Sequence, residues 1–289
     1  MFAVIGNPTF DRIRTPERSE EAIGGGITYA ALTLLSLGEA VAVWGKGDPT
    51  ILALLRDNGA DVSHFQAGET CLFENIYEEG LRRQRATAGQ ALREEELPRS
   101  VSRGVVLYTP VLGELQGAQC SRRGARLSAV DLQGLMRRLT EDGSVTLRRD
   151  PQAWEAVRRC DVVKLDDVEA EALTGRKDPR EALRELLKAA NGMVLLTLAE
   201  RGAFLGRGNE AWRIHPPAVR VLDATGAGDV ALSSFVFALL RTEDPLHAAR
   251  FSTCAASLSV EGFGLRGVPS PAQIQSRLAE TNCEEVPLP

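Results

Sequence analysis

The sequence predicts an α/β protein built on a mainly parallel sheet, and three observations carry that prediction. Short apolar runs rich in β-branched residues alternate with helical patterns along 289 residues, and strand–helix–strand repetition means βαβ units. The runs are apolar throughout, as expected for strands covered on both faces. A hydrophobic content of 44% over this length is ample for a core in one large domain or two modest ones.

The elements follow in order. "MFAVIG" at the start reads as a buried strand, and so do 40–45, 104–110, 127–134, 161–167 and 193–198. The clearest helix is 178–192: Asp178 caps it, Pro179 suits its first position, Leu183, Leu186, Leu187 and Ala190 share a face, and Gly192 suits the stop. Residues 66–88 lack a helical period and read as two alternating strands joined at "EEG", a projecting hairpin that needs a partner surface. Residues 219–241 read as strand, glycine turn and helix, and the final "TNCEEVPLP" as a loose tail.

Composition excludes several functions. A net charge of −5 argues against nucleic acid as a partner, because phosphate-backbone binding needs a basic face. The N-terminus has no basic region before a long apolar run, and no segment is long and apolar enough to cross a membrane, so neither a signal peptide nor a membrane partner is expected. The cysteines Cys71, Cys120, Cys160, Cys254 and Cys283 are scattered, without CxxC spacing, which points to a reducing, cytoplasmic setting. His64, His215 and His247 lack metal spacing and read as structural or surface residues; Trp44, Trp154 and Trp212 read as packing residues.

The stretch most charged with chemistry is "DATGAGD", 223–229. Gly226, Ala227 and Gly228 lead into a helix, whose first amides have no internal partners and form, with the helix dipole, an anion site. Asp229 either caps that helix or accepts the proton of a hydroxyl attacking a phosphoryl group held by the amides. The two commonest nucleotide fingerprints, GxxxxGK[ST] and GxGxxG, are absent.

The full "DATGAGD" resembles the signature of the ribokinase-like (PfkB) family of carbohydrate and nucleoside kinases. Further stretches agree in the family's order: "GNPTFDR" with Asp11, "GGGITYAALTLLSLG" (24–38), "KLDDVEAEALTG" (164–175), "TLAERGAFL" (197–205) and "TCAASLSVEGFGLRGVPS" (253–270). The resemblance implies a three-layer α/β/α sandwich over 1–289 as a single domain. A small β lid would come from about 66–88 with part of 8–22. It also implies ATP and Mg²⁺, with Asp229 as catalytic base and the 226–228 amides as anion hole. Thr197, Ala199, Gly202, Asp166 and Thr253 would lie along the nucleotide. Glu169 would organise the metal, which relies on phosphates and water for its other ligands. The family allows a monovalent cation near the turn, and a monomer or a homodimer.

Some positions depart from the family's pattern. Tyr29 stands where a sugar-contacting asparagine is usual and should reshape that corner. Asp166 stands for a common Asn, and Thr253 for an Asn near the adenine. Ala199 replaces a common glycine, tolerable if its φ is negative or the phosphate stands off. "GGGITYAAL", "VDLQG" (130–134) and "GSVTL" (143–147) resemble the inositol-kinase-like branch. That branch implies a cyclic polyol such as myo-inositol, held by Asp11, Gly25, Gly26, Tyr29 and Gln133. Gln133 reads equally as a strand-end cap, and Glu114 more readily as a solvated surface carboxylate. Lys46 reads either as part of a family loop or as a surface residue. Ribose, a fructose phosphate or a nucleoside stay open as acceptors. Arg82, Arg83 or Arg85 would meet a phosphate, and Phe73 and Tyr77 a base. A ligand-sensing homologue without turnover is the alternative of another class.

Overall fold

The computed structural model describes residues 1–14, 19–78 and 81–289, leaving aside the side chains of residues 13, 19, 77, 78 and 81–83. Among these residues the strands are β1 (Phe2–Ile5), β2 (Thr9–Arg14), β3 (Ser19–Gly24), β4 (Val41–Gly47), β5 (Asp61–Ala67), β6 (Cys71–Glu78), β7 (Leu81–Thr87), β8 (Val105–Tyr108), β9 (Leu127–Asp131), β10 (Arg137–Leu139), β11 (Val145–Leu147), β12 (Val162–Asp166), β13 (Met193–Thr197), β14 (Ala203–Arg207), β15 (Glu210–His215) and β16 (Asn282–Glu285). The helices are α1 (Gly26–Ser36), α2 (Pro49–Asp57), α3 (Gln133–Met136), α4 (Pro151–Arg159), α5 (Asp167–Thr174), α6 (Pro179–Leu187), α7 (Ala227–Thr242), α8 (Pro245–Ser259) and α9 (Pro271–Arg277).

The central sheet runs β16-β15-β14-β13-β12-β9-β8-β1-β4-β5. From β5 to β13 the neighbours are parallel, and from β13 to β16 antiparallel. Its strands are continuously apolar because both faces are covered. In β1, Phe2 and Val4 join one core with α1, α7 and α8, whereas Ala3 and Ile5 join the other with α4, α5 and α6. Period-two geometry thus splits each strand between two cores, and the layers are helix, sheet, helix.

A second sheet, β3-β2-β6-β7, stands apart from this one. The expected hairpin is β6–β7, antiparallel from Leu72↔Thr87 to Glu78↔Leu81; the tip at 79–80 lies outside the described residues. Parallel pairing of β2 with β6 gives it the partner surface that an isolated hairpin lacks. The short antiparallel pair β10–β11 supports its far edge, through a bridge between Arg85 and Ser144.

Several expectations need correction. Residues 219–222 form no strand; they run as irregular backbone tied to the end of α8 by Leu222 N–H donating to Val260 O at 2.7 Å. The tail is not loose: β16 pairs with β15 from Trp212↔Glu285 to His215↔Asn282. The strand expected over 127–134 ends at Asp131, where α3 follows. The helix expected over 178–192 ends at Leu187, and Gly192 instead lies against the Asp161 carbonyl, where any Cβ would be 2.0 Å away.

Candidate active site

One cleft of about 820 Å³ opens where the carboxyl ends of the parallel strands face the small sheet, the place where an open α/β sheet binds ligands. It is lined by Asp11, Gly25, Gly26, Tyr29, Gln133, Asp166, Thr197, Ala199, Gly202, Thr253, Gly226, Ala227, Gly228 and Asp229. Fourteen of the fifteen expected site residues therefore converge on one space. Glu169 does not line it. It is 2% exposed, and its Oε2 accepts the Asp166 N–H at 2.9 Å while Asp166 Oδ1 accepts the Glu169 N–H at 2.7 Å. This capping box starts α5 and holds the Glu169 carboxylate behind Asp166.

The glycine turn is resolved in detail. Gly226 precedes the first turn of α7 with φ +78 and no side-chain cap, so the first amides are left without a side-chain partner. Asp229 is the third helical residue and does not cap. Its carboxylate lies against the start of α1, where a Cβ on Gly26 would come within 2.7 Å of Oδ1. The other aspartate, Asp223, braces the turn: it accepts Thr225 N–H and Gly264 N–H, each at 2.9 Å. Tyr29 packs its ring on Gly226; a Cβ there would sit 2.3 to 2.4 Å from three ring carbons. Left-handed φ and the tyrosine ring together require glycine at 226.

Beneath the turn lies an ion pair that sequence reasoning missed. Lys164 and Asp131 are register partners on β12 and β9, their side chains directed to the α7 side, with Nζ 2.9 Å from Oδ2 and side chains 4% and 2% exposed. A Cβ on Gly228 would be 2.4 Å from Lys164 Nζ. Burial alone would lower the lysine, but Asp131, Glu169 and Asp166 outweigh it and raise it, so the ammonium stays charged. The readable signal was a lysine within the apolar run "DVVKLDD". Burial pushes the Asp229 carboxyl up to about 7; Asp131 and Asp11 add to the rise, and Lys164 and Arg137 oppose it. Burial likewise raises Glu169, against the pull of Lys164.

At the small-sheet end, Thr9 Oγ1 donates to Asp11 Oδ1 at 2.9 Å. Phe73, Asn75, Gln84 and Arg137 line the same end. Among the phosphate-contact candidates, Arg85 is exposed, while Arg82 and Arg83, like the base-contact candidate Tyr77, have side chains outside the described residues. At the other end the walls are Pro216, Pro217, Val219, Val221, Ala256 and Val260, with the hydroxyls of Ser252 and Thr253; those two hydroxyl oxygens are buried and unbonded within the protein. Ala199 has φ +50, so the negative-φ condition is not met and its methyl is carried in strained backbone, at a cost of about 1 kcal/mol or more. Gln133 lines the cleft while its N–H donates to Asp131 Oδ1 at 3.1 Å.

Residues outside the cleft also find their places. Glu114 is neither solvated nor at the pocket: it is 5% exposed and accepts the N–H groups of Asn7, Val111 and Leu112. Lys46 is buried and pairs with Glu96 at 2.7 Å. His64 stacks on Trp44 with centroids 4.4 Å apart, and His215 meets Glu284 at 3.0 Å. No helix among the described residues is long and apolar enough to cross a membrane.

A ten-stranded sheet of this order, covered by helices on both faces and carrying a small separate sheet, is a ribokinase-like fold. Residues 139–273, just under half of this chain, match the pfkB family carbohydrate kinase model. A ribokinase of Lactococcus lactis is 30% identical over 103 residues, 35% of this chain and 34% of its own. A 1-phosphofructokinase of Rhodobacter capsulatus is 34% identical over 128 residues, 43% of this chain and 40% of its own. The matched segments thus span between a third and two fifths of these relatives. A pyrophosphate-dependent kinase in the ribokinase family, complexed with a pyrophosphate analog and myo-inositol, superposes over 96% of this chain and 99% of its own with a TM-score of 0.83 and 25% identity.

Proposed function

We propose that the protein is a kinase that transfers the γ-phosphoryl group of ATP to a hydroxyl of a sugar or cyclic polyol, with myo-inositol as the favoured acceptor. The observation that carries this reading is the Asp229 carboxylate, buried at an uncapped helix start and touching the acceptor-side helix α1 at Gly26. Asp229 takes the proton of the attacking hydroxyl. The amides of 226–228 stabilise charge on the transferring phosphoryl group. Asp11, Gly25, Gly26, Tyr29 and Gln133 hold the acceptor. Asp166, Thr197, Ala199, Gly202 and Thr253 flank the donor, and the small sheet acts as a lid over a single domain, excluding competing water.

The residues present fit Mg²⁺. No group of three or more His, Cys, Asp or Glu among the described residues could hold a metal ion alone. Asp166 nevertheless offers a hard carboxylate oxygen to the cleft, which suits an ion that keeps its waters and binds mainly through phosphates. When bound, it would neutralise donor phosphate charge. Glu169 would act on it only through Asp166 and its helix start.

The apolar walls at the Ser252–Thr253 end support a nucleoside-bearing donor. The likeness to the pyrophosphate-dependent kinase favours a second reading, with pyrophosphate as donor. Initial rates with ATP or pyrophosphate, each with Mg²⁺, against myo-inositol, ribose, fructose, fructose phosphates and nucleosides test the whole. Asp229→Asn should lower kcat on the order of 10²- to 10⁴-fold while calorimetry still registers acceptor binding. Equal acceptor binding by both proteins with turnover by neither would replace the kinase with a ligand sensor.

A further inference from the structure

On the small sheet, Asp11 of β2 is the register partner of Phe73 of β6, and Asn75 that of Gln84 on β7. Side chains two apart share a face, so Thr9, Asp11, Phe73, Asn75 and Gln84 form one wall of the cleft, as all five line it. Gln84 Nε2 donates to Asn75 Oδ1 at 3.0 Å, which orients the amide pair. Arg137, from β10 of the main body, lays its guanidinium over the Phe73 ring, 5.2 Å from the centroid. Stacking of this kind fixes the plane of the group and leaves its N–H edge available for hydrogen bonds.

Among the described residues, seven carboxylates and two cations line the cleft. Lys164 is committed to Asp131. Arg137 has a long hydrogen bond to Val111 O at 3.5 Å and its stack on Phe73, and no carboxylate pairs with it among the described residues. Phe73 is thus flanked by an anion that accepts, Asp11, and a cation that donates, Arg137. A hydroxyl is both donor and acceptor, so a ring bearing several hydroxyls satisfies both flanks while its C–H face covers Phe73. A phosphomonoester, close to two negative charges, would meet, among the described residues, one cation without a carboxylate partner and seven carboxylates.

We propose that Arg137, fixed on Phe73, is an acceptor-binding residue that donates to hydroxyl oxygens of a neutral polyhydroxylated ring, opposite in role to Asp11. The proposal rests on the kinase reading for its substrate and deepens it. The test compares Arg137→Met and Arg137→Lys with the unmodified protein. Rates are measured with myo-inositol varied, then with donor varied, and myo-inositol and fructose 1-phosphate are titrated calorimetrically into each protein. Arg137→Met should raise the acceptor KM about 10- to 100-fold, as expected for lost charge-assisted hydrogen bonds. Donor KM and kcat should stay within about 3-fold, and lysine, lacking the planar fork, should restore only part.

An unchanged acceptor KM, or a loss confined to kcat or donor KM, would overturn the proposal, as would tighter binding of fructose 1-phosphate than of myo-inositol. If the unmodified protein turns over no acceptor, the kinase reading fails, and the titration still decides this one. Binding of myo-inositol lost in Arg137→Met upholds it; equal binding, or none to either protein, sinks it. Should Arg137→Met melt early, Phe73→Leu removes the stack and keeps the charge, and it should raise the acceptor KM several-fold.

Discussion

Two consecutive helices, packed on each other, begin in opposite ways. At α8 the Asp244 side chain accepts the N–H groups of Leu246 and His247 at 2.9 and 3.2 Å, and Pro245 takes the first position. The same aspartate–proline device opens α2, α4 and α6, at Asp48, Asp150 and Asp178. At α7 the preceding residue is Gly226, and at α1 it is Gly25 with φ +89; neither has a side-chain cap, and both line the cleft. Where a helix start has only to be stable, the chain satisfies its orphan amides itself. At α1 and α7 the cleft-facing start carries no cap and forgoes the roughly 1 kcal/mol that one contributes, whereas α5, whose start also lines the cleft, closes its own amides through the Asp166–Glu169 capping box.

The comparison breaks most sharply at Gly226. Gly226→Ala places a methyl in left-handed backbone and against the Tyr29 ring, so thermal unfolding should show a loss of about 1 to 3 kcal/mol. Displacing the amides proposed to hold the anion should also lower kcat on the order of 10²- to 10³-fold. Adding Tyr29→Ala should return part of the stability and none of the rate.

The next test is pH. Burial raises the Asp229 carboxyl to about 7, and the proposed base would work ionised, so kcat/KM, which reports the ligand-free protein, should fall towards tenfold per unit on the acid side of that raised value. For stability the sign is opposite. Between its unfolded value near 4 and its folded value, the native state binds the extra proton, so this group favours folding as pH falls and costs stability as pH rises towards 7. Asp229→Asn should flatten that part of the stability profile.

The smallest effect belongs to the other kind of start. Asp244→Ala should cost about 1 kcal/mol, a shift of a few degrees in Tm, with kinetic constants unchanged. A rate loss there would mean that α8's start is coupled to the cleft and that the two designs are not separate.

What could be read beforehand follows the same division. Local signals were legible: the glycines of 24–26 and 226–228, the Asp178–Pro179 start, and the alternation of the β6–β7 hairpin all sit within a few residues of what they determine. Pairings across the sheet were not. Lys164 meets Asp131 only because β9 and β12 become neighbours in register, and Arg137 reaches Phe73 only once β10 lies beside the small sheet. Glu114 looked like a surface carboxylate because its partners are backbone amides of Asn7, Val111 and Leu112, one of them more than a hundred residues away. Polar "TNCEE" resembled a tail because an edge strand needs only backbone pairing and has no buried face to declare it.

That edge strand also carries a chemical consequence. Cys283 is half-buried on β16, opposite Ile214, whereas Cys71, Cys120, Cys160 and Cys254 are buried, with burial pushing their thiols up. An alkylating reagent therefore meets two populations of sulfur. Cys283 should react at the pace at which the sheet margin frays, and the other four only when the interior opens. The protein thus carries its own covalent clock, able to time local opening separately from global unfolding.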